Sequence, residues 1–309
     1  MRWPLLLAAL LCGCHAQHPR EVLLGTLPTE AERLPHGEVT VAPWTCLGFE
    51  GVKLSSRHWD ICTTIRIPTL CQQLPQAMEA ALAHMRETLG GPELTLPCPR
   101  APMTTCLMSD RRQWSNLARV LHPEHAEAME GLSRGGFTAE GVALLYDIDR
   151  REHCRNTIAL ALHEGWHQYA QTALRAPLEP WLDEGLATIM EGYRLTVDGP
   201  VIDHDANRQR KRRAWWLFRR GRMPSVDTLL AGDPHEAMDR GRTALLDYYA
   251  QAWAFMRFML DDPDRARAVR DVLAAAVDGT RKPIDLPPGD IDAQFRAWCV
   301  EGLRPTWWH

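Results

Sequence analysis

The stretch His163-Glu164-Gly165-Trp166-His167 is the part of this sequence from which both the fold and the chemistry follow. It lies in a segment, 156–174, that we predict to be helical. Histidines four positions apart advance a helix by about 400°, so their imidazoles lie on one face and can chelate a single ion. Zn²⁺ readily accepts imidazole nitrogen, and Glu164, about 100° around the helix, can act as a general base beside that ion.

A second stretch, Pro180-Trp181-Leu182-Asp183-Glu184-Gly185-Leu186-Ala187, begins thirteen residues after His167, and its proline is well placed to begin a helix. H-E-x-x-H followed by W-x-x-E-G-x-A on a second helix resembles the gluzincin branch of the zincin metallopeptidases. That branch includes thermolysin and the zinc aminopeptidases, and bacterial peptidase-MA-like proteins resemble this chain most. In that pattern the glutamate of the second helix is the third zinc ligand, which implies Glu184 here. Asp183 is then a neighbouring carboxylate outside the ligand set.

The resemblance implies a zincin-like fold and a zinc-dependent metallopeptidase that hydrolyses peptide bonds in a peptide or protein substrate with a zinc-activated water. Zn²⁺ would be held by His163, His167 and Glu184, with Glu164 as the catalytic base. The metzincin signature is absent, because no glycine and third histidine follow His167 at its spacing. The segment 141–145 lacks the carboxylate of the G-x-M-E-N motif, which argues against aminopeptidase activity.

Two non-catalytic roles for the motif are open. A histidine pair with a glutamate on a buried helix can be a polar cluster that binds no metal. A degenerate peptidase can also keep the metal as a non-catalytic zinc-binding surface lipoprotein. Glu164 favours the enzyme, because a site that only binds metal has no need of a base.

Attack on a carbonyl group places negative charge on its oxygen, and a donor from the protein normally supplements the metal. In gluzincins this donor is a Tyr or His of a later helix, and the candidates here are Tyr193, His204, His235, Tyr248 and Tyr249. We choose Tyr249 as the catalytic donor, since its context is similar to the Y-x-Q-x-W stretch of the peptidase-MA-like relatives. Tyr248 is the alternate, because successive helix residues differ by 100° and only one can face the zinc. Tyr193 is expected on the helix of the third ligand, and both histidines on solvated loops.

The pattern along the chain predicts an α+β fold, with a mixed lobe over 39–150 followed by a mainly helical lobe over 151–309. Together they form one zincin-like domain, 39–309. Strands are expected at 39–41, 62–67, 103–108 and 141–146, and helices at 74–89 and 114–121.

The N-terminal residues 1–16 are typical of a signal peptide, with a short apolar run far below the length that spans a bilayer. Leu11-Cys12-Gly13-Cys14 resembles the bacterial lipobox, in which Cys14 receives lipid and becomes the mature N-terminus. The alternative is plain secretion with cleavage after Ala16. Residues 17–38 are expected to be a tether. We therefore expect an exported protein, anchored to the membrane through lipid.

Composition excludes several classes of protein. With 309 residues, 45% apolar and 24% charged, the chain is globular, and a net charge of -4 gives no overall attraction to nucleic acid or anionic lipid. One basic segment, 208–222, contains eight Lys or Arg, and a solvated helix explains it better than a binding surface. No nucleic-acid partner is expected.

Seven cysteines follow Cys14 along the chain: Cys46, Cys62, Cys71, Cys98, Cys106, Cys154 and Cys299. They contain no C-x-x-C pair, which argues against a thiolate zinc site. In an oxidising compartment we expect one to three disulfides among them, with at least one cysteine free or paired with something else.

Overall fold

The computed structural model describes residues 37–90, 94–123, 135–149 and 154–304. Its architecture is α+β, as predicted. The strands are β1 (Thr40–Cys46), β2 (Phe49–Ser55), β3 (Trp59–Thr63), β4 (Met103–Met108), β5 (Gly136–Ala139) and β6 (Val142–Tyr146), with a separate hairpin of β7 (Tyr193–Thr196) and β8 (Gly199–Ile202). The main sheet has the order β1-β2-β3-β4-β6-β5. β4 is parallel to β3 and β6, and the other pairs are antiparallel.

Helices make up most of the chain after residue 154. In chain order they are α1 (Pro68–His84), α2 (Arg111–Leu121), α3 (Arg155–Ala173), α4 (Pro180–Met190), α5 (Arg208–Arg219), α6 (Val226–Leu230), α7 (Pro234–Asp239), α8 (Arg242–Leu260), α9 (Pro263–Asp278) and α10 (Ile291–Gly302). The predicted helical second lobe is correct apart from the β7–β8 hairpin. One hydrophobic core joins both lobes, from Ile61 in the sheet to Phe255 in α8.

The sheet is covered on both faces, which explains why every residue of β4 and β6 is buried. On one face, Trp114 and Leu117 of α2 pack against Cys106 and Leu144. On the other face, α1 and α3 pack against Ile61, Leu107 and Leu145. The central strands thus form a rigid floor under α3, the helix that carries the histidine pair.

Two hairpins in the sheet turn through a residue pair in which both φ angles are positive. The pairs are Leu47-Gly48 (φ 51° and 76°) and Glu140-Gly141 (φ 49° and 77°). Such pairs match the right-handed twist of the flanking strands, and glycine adopts this conformation at little cost. The second turn places β5 at the edge of the sheet beside α3.

The first lobe departs from the sequence prediction in several places. The strand expected over 62–67 is partly wrong, because β3 ends at Thr63. Thr63 Oγ1 accepts a hydrogen bond from the backbone N–H of Ile65 at 3.0 Å, which bends the chain toward Pro68. The helix expected from Leu74 therefore begins at Pro68, with proline in its favoured first-turn position. Strands β2 and β5 had no counterpart in the prediction.

Helix α8 is the centre of the second lobe and packs on α4, α5, α7 and α9. Gly185 of α4 lies where α4 crosses α8. A Cβ atom at that position would lie 3.1–3.2 Å from two atoms of the Met256 side chain. The glycine after Glu184 thus lets the second ligand helix approach α8.

The segment that connects α3 to α4 is fastened to the C-terminal helices. The backbone N–H groups of Arg175 and Ala176 both donate to the carbonyl oxygen of Ala276 in α9, at 2.9 and 3.1 Å. These hydrogen bonds to α9 therefore help to set the distance between α3 and α4.

The expectation of disulfides is wrong for the seven cysteines from Cys46 to Cys299, which are all unbridged. Four of them are fully buried and behave as small apolar side chains in the packed core. Cys62 and Cys106 lie opposite each other on β3 and β4 but do not form a disulfide bond.

The predicted signal peptide, Cys14 and nearly all of the predicted tether lie outside the described residues. Among the residues that the structure does describe, we find no helix whose length and apolarity would allow it to span a bilayer.

Candidate metal centre

Helix α3 presents the histidine pair, and Gln168 fixes this helix to the sheet. The side-chain oxygen of Gln168 accepts from Thr105 Oγ1 at 2.9 Å and Trp59 Nε1 at 3.3 Å. Its amide nitrogen donates to the carbonyl oxygens of Thr104 and Gly141, at 2.6 and 3.2 Å. All four hydrogen-bonding positions of the buried amide are thus satisfied, and the helix is held in one register.

Three side-chain atoms of α3 and α4 converge at one point. His163 Nε2 lies 3.3 Å from His167 Nε2 and 3.3 Å from Glu184 Oε2, and the third separation, His167 Nε2 to Glu184 Oε2, is 3.6 Å. A tetrahedral ion with bonds of 2.0–2.1 Å requires ligand atoms about 3.3–3.4 Å apart. The structure thus brings the three predicted ligands together, and the cluster could hold a metal ion.

Glu184 Oε2 supports this interpretation independently. It is a buried carboxylate oxygen to which no donor is aligned, although both histidine Nε2 atoms are near it. An unpaired buried charge is costly, and a cation at the centre of the triangle would satisfy it.

Carboxylates on the far side of both imidazoles orient the Nε2 atoms toward this point. His163 Nδ1 donates to Glu191 Oε1 at 3.0 Å, and His167 Nδ1 donates to Asp183 Oδ2 at 3.1 Å. Asp183 also accepts from Trp166 Nε1 at 2.6 Å. Such contacts fix the tautomer that leaves Nε2 free for a metal. Asp183 thus lies beside the ligands, as the resemblance implies.

Glu191, one residue beyond α4, was not anticipated from the sequence. Arg210 of α5 donates to both of its oxygens, at 2.9 and 2.6 Å, and Asn207 donates to Oε2 at 2.8 Å. Burial raises the pKa of Glu191, but Arg210 and His163 outweigh it and hold that pKa at about 2. The interpretation of 208–222 as a solvated helix is therefore wrong for Arg210, which is buried against this carboxylate.

The carboxylates also determine the charge of the histidines. Burial by itself would lower the pKa of His163, but Glu184 and Glu191 outweigh it and raise that pKa to about 9. The pKa of Glu184 is held well below its usual range by His167 and His163 despite its burial. The cluster thus keeps its carboxylate ionised, and a metal ion would bind to it in exchange for imidazole protons.

Glu164, the predicted base, lies beside the metal cluster in the same cleft. Its side chain is buried, and Oε2 accepts a hydrogen bond from Thr138 Oγ1 at 2.8 Å. Thr138 is on β5, which the sequence analysis did not identify. The glycines on both sides of the short segment Phe137-Thr138-Ala139, at positions 135, 136 and 141, were the available signal for this strand.

The two adjacent tyrosines of α8 face different surroundings. Tyr249 lines the cleft, with its ring centroid 5.8 Å from that of His163 and the Arg210 guanidinium 5.0 Å from its ring. Tyr248 is buried, and its hydroxyl donates to the carbonyl oxygen of Gly232 at 3.5 Å. Burial, reinforced by Glu184, raises the pKa of Tyr249 well above its usual range, so its hydroxyl stays protonated.

The other three donor candidates lie elsewhere than expected. Tyr193 is not on the helix of Glu184 but begins β7, and its hydroxyl donates to the carbonyl oxygen of Arg155 at 3.3 Å. His204 is not solvated, because it is packed against His84. His235 is exposed as expected, yet it lies on α7 and lines the cleft.

The cleft over the cluster is open to solvent and has a volume of about 490 Å³. Strand β5 forms one wall, and Met238 and Leu245 contribute apolar surface to another. This space can admit an extended chain beside Glu164 and the three converging atoms.

Comparison of the chain with protein-family models, curated proteins and solved structures gives no match.

Proposed function

We propose that this protein is a zinc-dependent metallopeptidase with a zincin-like fold, hydrolysing peptide bonds in a peptide or protein substrate. The observation that carries the proposal is the triangle formed by His163 Nε2, His167 Nε2 and Glu184 Oε2, with Glu164 beside it in an open cleft. A purely structural metal site is closed by four protein ligands, whereas a catalytic site has three and an open position.

The donor set favours zinc over other common ions. Two imidazole nitrogens and one carboxylate oxygen are a ligand set of catalytic zinc sites, whereas Ca²⁺ and Mg²⁺ prefer oxygen ligands alone. When bound, Zn²⁺ would supply Lewis acidity, activating a water molecule and polarising the scissile carbonyl group.

The residues of the chain supply the proton transfer and the positioning. Glu164 accepts a proton from the attacking water and returns it to the leaving amine. The hydrogen bond from Thr138 orients the Glu164 carboxylate toward the cleft. Tyr249, protonated and facing the cleft, donates a hydrogen bond to the carbonyl oxygen as negative charge develops on it.

Strand β5 gives the substrate a place to bind. Within the described residues, β5 pairs with no strand other than β6, and Gln171 Nε2 donates to the Thr138 carbonyl oxygen at 3.3 Å. An extended peptide added at the outer edge of β5 would compete with Gln171 for that oxygen. Apolar residues nearby, including Leu178 and Leu245, line the same cleft. A peptide laid along β5 passes Thr138 and Glu164.

The test compares the purified wild-type protein with Glu164→Gln. Elemental analysis should find about one zinc per chain in both forms, because Glu164 is not a ligand. Only the wild type should cleave a peptide library, with at least about a 100-fold difference in rate. Zinc without cleavage in the wild type would indicate the non-catalytic surface protein. Full zinc occupancy in His163→Ala would contradict the metal assignment.

We also propose that the protein is exported and anchored by lipid on Cys14. The support is the lipobox-like Leu11-Cys12-Gly13-Cys14 after a short apolar run. The wild-type protein should partition with membranes or detergent, and Cys14→Ala should not. A soluble wild-type protein whose N-terminus is Gln17 would instead indicate plain secretion.

A further inference from the structure

Cys98, His58 and Glu79 form a hydrogen-bonded row that lies apart from the residues lining the metal cleft. Cys98 Sγ is 3.2 Å from His58 Nε2, and His58 Nδ1 is 2.7 Å from Glu79 Oε2. Thiol, imidazole and carboxylate in this order form the arrangement in which a base activates a nucleophile and a third group orients the base. The mechanism proposed above uses none of the three.

His58 is held rigidly between β2 and β3. Its backbone N–H donates to Glu79 Oε1 at 2.7 Å, and its carbonyl oxygen accepts from the N–H of Met103 at 2.8 Å. Its side chain is only 5% exposed. The ring therefore has a fixed position between the carboxylate and the thiol.

Glu79, on α1, determines which ring nitrogen of His58 carries the proton. Glu79 accepts from His58 and, at 2.7 Å, from Ser56 Oγ. Burial alone would raise the pKa of Glu79, but these hydrogen bonds outweigh it and hold the pKa below its usual range. The ionised carboxylate accepts a hydrogen bond from His58 Nδ1–H, which leaves the Nε2 lone pair directed at Cys98.

The segment that carries Cys98 is also fixed. Cys98 lies between Pro97 and Pro99, and the Tyr169 hydroxyl donates to the carbonyl oxygen of Pro97 at 2.9 Å. Arg86 Nε donates to the carbonyl oxygen of Leu96 at 3.1 Å. Cys98 is half-buried, whereas Cys62, Cys106, Cys154 and Cys299 are fully buried. Cys98 thus lies nearer to solvent than the core cysteines, and its sulfur atom is already paired with its base.

We propose that Cys98 is a reactive thiol that exchanges with small disulfides, with His58 as its base and Glu79 as the positioning residue. His58 Nε2 takes the thiol proton as the sulfur attacks one sulfur of the disulfide. A new S–S bond to Cys98 forms, the disulfide bond of the reagent breaks, and the leaving thiolate receives the proton from His58. One molecule of small thiol is released for each mixed disulfide formed, so no other oxidant is needed.

The first experiment needs no substitution, because the chain contains its own controls. Wild-type protein is mixed with oxidised glutathione under native conditions, and the mixed disulfides are located over time by peptide mass spectrometry. Cys46 and Cys71 are also half-buried, but burial raises the pKa of both thiols. Cys98 should be modified at least about 10-fold faster than either. Modification of Cys98 no faster than Cys46 and Cys71 would overturn the proposal.

The second experiment tests whether the reactivity of Cys98 depends on His58 as a base or only on the packing around the thiol. His58→Gln and Glu79→Gln should each slow modification of Cys98 by about 10-fold, with thermal melting used to select folded protein. The pH profile of Cys98 in Glu79→Gln should also shift toward that of Cys71, which loss of packing alone would not produce. Glu87→Gln, an exposed carboxylate beyond the end of α1, is the matched control and should leave both readouts unchanged. Unchanged rates and profile in folded Glu79→Gln would contradict the role of Glu79.

Discussion

The Glu191 carboxylate lies 3.0 Å from His163 Nδ1, on the side of the imidazole opposite the metal-facing Nε2. Arg210 donates two hydrogen bonds to this carboxylate and helps to keep it ionised at low pH. The hydrogen bond between Glu191 and His163 therefore persists on acidification. A metal ligand oriented in this way is both pre-positioned and a stronger base.

Glu191→Gln should lower the affinity for zinc by about 10–100-fold, because the amide retains the shape of the side chain but loses the charge that supports His163. Competition with a chromophoric chelator measures the change. Asp271→Asn, which removes a carboxylate from an exposed pair with Lys282, is the control and should bind zinc like the wild type. Equal affinity in Glu191→Gln would show that the contact does not support the ligand.

Thr138→Val should lower peptidase activity by about 3–10-fold, the effect of losing one hydrogen bond that orients Glu164. Zinc content should not change, because neither residue is a ligand. Steady-state kinetics on the best library peptide measure the effect. Thr138→Ser retains the hydroxyl and should keep a rate near that of the wild type. If the serine variant is as slow as the valine variant, the loss of activity comes from altered packing of the Thr138 side chain and not from the lost hydrogen bond.

Tyr249→Phe should lower turnover by about 10–10³-fold with zinc content and melting temperature unchanged, because only the developing charge loses a donor. Tyr248→Phe is the matched control. It removes a hydroxyl that is bonded to Gly232 and should leave turnover near the wild-type rate. If only the Tyr248 variant loses turnover, Tyr248 is the donor.

The protein should lose stability on acidification through His204. Burial, with His84 and Arg257 nearby, lowers the pKa of His204 to about 4. An unfolded histidine has a pKa near 6.5, so the unfolded state binds more protons between these values and stability falls as pH drops from about 6.5 to 4. The loss should be on the order of 1–3 kcal/mol.

Urea unfolding at several pH values measures this loss, and His204→Gln should show a shallower dependence on pH than the wild type. His235→Gln removes an exposed histidine and should follow the wild-type dependence. Identical slopes for the His204 variant and the wild type would contradict the assignment.

The part of the site that could be predicted depends on local spacing. His163, Glu164 and His167 share a helix, and Pro180 begins the helix of Glu184, so local patterns predicted both helices. The choice of Glu184 as third ligand came from the resemblance to gluzincins. The supporting partners come from distant parts of the chain. Arg210 meets Glu191 through the packing of α5, and no local pattern records that contact.

The same distinction applies to the fold. The buried strands β4 and β6 were predicted, because β6 is a continuous apolar run and β4 is interrupted only by Thr104 and Thr105. β5, in contrast, has only four half-buried residues and depends on its pairing with β6. His204 was expected at the surface because its neighbours are acidic. Its burial against His84 is a tertiary contact between segments far apart in the sequence.

The attachment of Arg175 and Ala176 to Ala276 sets an order for assembly during synthesis. A nascent chain that has just released Glu184 from the ribosome already contains every proposed metal ligand. It still lacks Ala276, whose carbonyl oxygen holds the connection between α3 and α4. It also lacks Tyr249, which lines the cleft from α8. The cleft is therefore completed only when the last third of the chain has emerged and docked.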